Sequence, residues 1–98
     1  MPRAGVPSKY EPLRRYLAGL PPALDTVTLS VAEIAAIVGA PLPTGARTPR
    51  FWANARRPWD MSVQARAWQG AGWRVIAFDY RAETVRFVRV DATDERSA

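Results

Sequence analysis

Residues 25–39, "DTVTLSVAEIAAIVG", constrain the chain most, because they join a strand to a helix with no loop between them. "DTVTLS" is β-branched and alternating, so Val27 and Leu29 face one way in a short strand. Ser30 and Glu33 then stand at the S-x-x-E spacing of a capping box, in which two backbone N–H groups at the helix start are satisfied reciprocally. Leu29 and Ile34 occupy the staple positions, and Gly39 supplies the left-handed residue at the helix end. Ile34, Ile37 and Val38 form the predicted buried stripe.

The remaining elements are read around this unit. Upstream, Glu11 and Pro12 suit the first turn of a helix, Leu13, Tyr16, Leu17 and Leu20 recur at helical spacing, and "GLPP" ends it. Residues 1–8, rich in Pro, Gly and small side chains, read as an arm. Downstream, "APLPTGARTPRFWANARRPWD" holds four prolines and allows a turn or two of helix around Thr44 to Phe51, with Thr44 as a cap. Asp60 or Ser62 can cap a third helix, "MSVQARAWQGAG". Its inward set is Val63, Ala67 and Ala71 or Ala65 and Trp68, which leaves Ser62, Arg66 and Gln69 along one face. Gly72 closes it.

Then comes a hairpin, "WRVIAFDY" and "VRFVRV" around "RAET". Simple alternation puts Trp73, Val75 and Ala77 on one face and Arg74, Ile76 and Phe78 on the other. The return strand sets Val85 and Phe87 against Arg86, Val88 and Val90. Both faces are apolar enough to predict cover, by a helix or a partner, over part of the second. Arg74, Arg81, Arg86 and Arg89 decorate the hairpin, and Asp79 and Glu83 offer cross-strand partners. Residues 91–98 read as a polar tail. The predicted fold is α+β: one winged-helix-like domain over residues 9–90, with a long basic loop between the second and third helices.

Composition limits the chemistry. Ninety-eight residues, 48 % hydrophobic, suffice for one packed domain. No Cys and no His are present, which removes disulfides, thiolate nucleophiles and the commonest metal ligand and general base. The remaining carboxylates show no motif spacing, and Glu33 and Asp60 have capping roles available. The chain reads as a non-enzyme without metal or cofactor. No leader-like or membrane-spanning apolar run is visible, so the expected setting is the cytoplasm, at the nucleoid if DNA is the partner.

Charge points to that partner. The formal net charge is +5, and its cations are thirteen arginines and one lysine. Between Gly45 and Phe78 lie Arg47, Arg50, Arg56, Arg57, Arg66 and Arg74 against the single acid Asp60. Such a field favours polyanions, DNA ahead of RNA. Within it, Phe51 and Trp52 have two readings, as core aromatics or as stacking surfaces, and Asn54 has two, as loop staple or as phosphate or base contact. Ser62, Gln64, Arg66 and Gln69 are the residue types that read base edges when a helix lies in a major groove; an ordinary exposed face would carry the same set. Trp68 and Trp73 pin the third helix to the hairpin. The candidate contact set is therefore Arg47, Arg50, Trp52, Asn54, Arg56, Arg57, Ser62, Gln64, Arg66, Gln69 and Arg74. The competing reading is a protein-interaction module, either a homodimer through the second face of the hairpin or a binder of an acidic partner.

The ordered pieces "KYEPLRRYL", "TLSVAEIAAIVGAPLP", "AR" at 46 and 47, "FWAN", "QARAWQGAGWRV" and "VRF" resemble a family of small bacterial domains with no assigned function. The resemblance spans residues 9 to 89 and implies a single domain; it implies no activity. The family has Trp where this chain has Phe51, and its "RRPWD" segment varies, so the resemblance implies no shared role for Trp59.

Overall fold

A computed structural model describes residues 9–90, with three helices and a three-stranded antiparallel sheet among them. The predicted arm, 1–8, and tail, 91–98, lie outside the described residues. The elements run α1 (Glu11–Ala18), β1 (Thr26–Ser30), α2 (Val31–Val38), α3 (Val63–Gly70), β2 (Trp73–Asp79) and β3 (Thr84–Arg89). Between α2 and α3 the chain makes three short 3-10 turns, Thr44–Arg47, Pro49–Trp52 and Pro58–Asp60.

Local chemistry sets the helix ends. The Glu33 N–H donates to Ser30 Oγ at 2.9 Å and the Ser30 N–H to Glu33 Oε1 at 2.8 Å, which completes the capping box. Gly39 terminates α2 with φ 85°, a conformation that a Cβ would strain. Ser62, not Asp60, caps α3: its hydroxyl accepts from the Ala65 N–H at 3.1 Å. Thr44 is no cap either; Pro43 precedes the first 3-10 turn, and the Thr48 hydroxyl donates to Gly45 O. On α1, Glu11 pairs with Arg14 and Arg15, and the Arg14 guanidinium holds the Glu11 carboxyl below its ordinary pKa.

The sheet order is β1-β3-β2. The last strand is thus the central one, with Leu29 opposite Val85 on one side and Val75 opposite Phe87 on the other. β2 departs from simple alternation. A bulge between Val75 and Ala77 adds Ile76 as an extra residue, so Ala77 pairs with Arg86 and Phe78 with Val85. Phe78 therefore joins Trp73 and Val75 on the core side, and Ala77 moves to the open side with Ile76, the reverse of the face predicted for Phe78 and Ala77.

Among the described residues, the buried core lies on one side of the sheet. Leu13, Leu17, Leu29, Ile34, Trp52, Trp68, Trp73, Val85 and Phe87 are buried together, and α1 packs against both α2 and α3. Of the two inward sets offered for α3, Ala65 and Trp68 are buried and Val63 is exposed; on α1, Leu13 and Leu17 are buried and Tyr16 is exposed. The opposite face carries Thr26, Thr28, Arg74, Ala77, Thr84, Arg86 and Val88. This face is more polar than alternation predicted, because the bulge has taken Phe78 from it.

Candidate nucleic-acid interface

The long connection between α2 and α3 is pinned down by aromatics. Trp52 is 2 % exposed and its indole N–H donates to Ala46 O at 2.7 Å, closing one loop turn onto the next. From Trp52, ring contacts run to Phe51 at 4.8 Å, Trp68 at 5.6 Å and Phe78 at 6.4 Å between centroids; Phe51 meets Tyr10, and Trp68 meets Phe87. Such edge-on, tilted and stacked pairs add to the area they bury. Trp52 consequently has no free ring face for a base.

Polar side chains staple the same loop from the other direction. Asn54 Oδ1 accepts from the Trp68 indole N–H and from the Val75 N–H, each at 2.9 Å, while Asn54 Nδ2 donates to Val75 O at 2.7 Å. To Val75 the carboxamide looks like one residue of a neighbouring strand, so it occupies part of the outer edge of β2. Gln69 repeats the device on the main chain of Ala55, accepting from its N–H at 2.8 Å and donating to its carbonyl at 3.1 Å. Gln64 Nε2 donates to Phe51 O at 3.1 Å. The amides of Asn54, Gln64 and Gln69 are thus engaged within the fold, and Ser62 is engaged as a cap. On α3, the candidate side chain left free to meet a partner is Arg66, which is exposed.

The arginines behave differently. Arg47 reaches Glu83 Oε2 at 3.5 Å and Arg57 reaches Asp60 Oδ2 at 2.9 Å, both at the surface, where such pairs contribute little and remain open to exchange. The cross-strand pairs expected on the hairpin are replaced by other contacts: Glu83 turns to Arg47, Asp79 Oδ1 accepts from the Arg81 and Ala82 N–H groups, and Arg89 holds Leu24 O and Pro21 O while lying 4.5 Å from the Trp73 ring centroid. Among the described residues, Arg50, Arg56, Arg66, Arg74, Arg81 and Arg86 are exposed and meet no carboxylate.

The stapled segment Asn54–Ala55 separates two grooves. One, about 420 Å³, is lined by Arg50, Phe51, Asp60 and Gln64. The other, about 500 Å³, brings Arg56 and Arg74 together with Gln69 and Trp73. Charges far apart in the sequence, Arg56 and Arg74, therefore border one cleft because Asn54 fastens the loop beside β2. Burial and polar contacts have assembled an arginine-lined ridge from a proline-rich segment. The sequence signal for the staples is absent: the Asn54, Gln64 and Gln69 contacts span 13 to 21 residues, beyond any helical or strand period.

No cluster of three or more metal-ligating side chains occurs among the described residues, and no helix among them is long and apolar enough to cross a membrane. No curated protein and no solved structure matches the chain at a significant level. Residues 10–90, almost the whole of the described fold, match the family described as a domain of unknown function (DUF7662), and the chain belongs to that family.

Proposed function

We propose that this domain binds nucleic acid, double-stranded DNA ahead of RNA, through the arginines around the Asn54–Ala55 ridge. The observation that carries the proposal is the cleft shared by Arg56 and Arg74, two exposed guanidinium groups with no carboxylate partner among the described residues. Guanidinium forks match phosphate oxygens bidentately, and cations clustered on a pinned loop meet a polyanion with less backbone left to order. Arg50, Arg47 and Arg57 extend the same field along the loop.

In this reading the element order and the sheet order β1-β3-β2 are those of a winged helix, with α2 and α3 as the helical pair and the β2–β3 hairpin as the wing. The insert 39–62 takes the place of the usual short turn. Because the Gln64 and Gln69 amides face the insert, the approach to DNA is through phosphates, with Arg66 as the one contact that α3 offers to a groove.

Anisotropy of a labelled random 30-base-pair duplex, at two salt concentrations, tests this. Four to six phosphate contacts give a slope of log K against log[salt] of about −4 to −5. Absence of binding at low salt, or binding with a slope near zero, refutes it. The homodimer reading has Ile76, 49 % exposed, on the open sheet face, but threonine and arginine make up most of its surroundings. An Ile76→Asp variant that sediments as the parent does sets that reading aside.

A further inference from the structure

Three of the four tryptophans, Trp52, Trp68 and Trp73, are at most 2 % exposed; Trp59 is 75 % exposed, more than any other large apolar side chain described. Leaving one indole in water forgoes a burial term that the fold takes up three times. Trp59 sits on the 3-10 turn Pro58–Asp60, where the Asp60 N–H donates to Arg57 O at 3.0 Å. Asp60 also grips the Arg57 guanidinium, whose central carbon lies 5.5 Å from the Trp59 ring centroid. Arg57 is thus held against the ring, and the indole remains largely open to solvent. Arg56 is exposed and immediately precedes Arg57 in the chain, and Arg50 shares a groove with Asp60.

We propose that Trp59, backed by Arg57, is a stacking platform for an unpaired nucleobase, with Arg50 and Arg56 taking the flanking phosphates. The proposal rests on the nucleic-acid reading above and adds a substrate class: strands with unpaired bases. Duplex bases are stacked on one another and offer no face, whereas a single strand offers one at every residue. The cationic flanks favour a nucleotide over an apolar protein surface, because a phosphate accompanies every base.

The buried positions of the other three tryptophans make Trp59 the source of quencher-accessible fluorescence. The full chain is titrated with a 30-residue oligothymidylate and, separately, with a blunt 30-base-pair duplex, following anisotropy of labelled ligand and acrylamide quenching of the protein. The single strand is expected to shield Trp59 from acrylamide, and Trp59→Ala to weaken it about 5- to 150-fold while leaving the duplex within about twofold. Trp59→Phe recovers most of the loss. If both ligands bind but Trp59 stays accessible, or Trp59→Ala weakens both equally or neither, the platform is refuted and the phosphate-binding reading stands. If neither binds at low salt, both fall together. Urea melts of Trp59→Ala that match the parent show that the comparison is between folded proteins.

Discussion

Asn54 makes a single carboxamide serve an indole, a strand edge and a loop. Replacing it with alanine orphans the N–H of a fully buried Trp68 and frees both main-chain groups of Val75. The expected loss is about 1 to 3 kcal/mol in urea unfolding, together with protease cleavage appearing within residues 53–60. Tyr10 gives a pH-dependent case. Burial favours its neutral phenol and raises its pKa above the ordinary value near 10. Its contribution is fully present below that ordinary value and is lost as pH rises through the raised one. The urea midpoint is expected to fall as pH rises above about 10 and to fall less in Tyr10→Phe.

At the scale of elements, helix ends and strand faces obey different kinds of rule. The capping box of α2 is local, and Ser30→Ala should cost about 1 kcal/mol by denaturant melt, with a similar cost for Ser62→Ala at α3. The bulge in β2 is not local. Deleting Ile76 alone leaves Val75 and Phe78 on the core face and should preserve a cooperative transition. Deleting Ile76 and Ala77 together turns Phe78 toward water and should abolish it, a contrast readable by near-ultraviolet circular dichroism. The same distinction decides what could be read in advance. Ser30, Glu33, Gly39 and the Val85/Phe87 face were legible because their partners lie within a few residues or one strand period. The face of Phe78 was not, since the run "WRVIAF" carries no glycine to mark a bulge and the extra residue follows from how β2 fits β3. Asn54, Gln64 and Gln69 looked like partner contacts for a related reason: their residue types suit a base edge as well as they suit a loop carbonyl, and only the folded path of residues 40–62 chooses between them.

Across the described fold, the buried rings are gathered on one side of the sheet and unpaired guanidinium groups project from the insert and hairpin. If the phosphate-binding reading holds, replacing Arg50, Arg56 and Arg74 together with alanine should reduce the salt slope by about 3 and weaken all duplex sequences alike, with the melting transition unchanged. The sheet order has a consequence in time as well as in space. β3 is central, and its partner residues in β1 lie far back in the chain, Thr26 against Val88. During synthesis β1 and β2 each emerge with a bare edge and wait for Thr84–Arg89; no ladder of this sheet can close until that stretch has left the ribosome. Closing such distant pairs late favours slow, all-or-none assembly, in which the nascent chain stays exposed to chaperones and proteases until its final strand arrives.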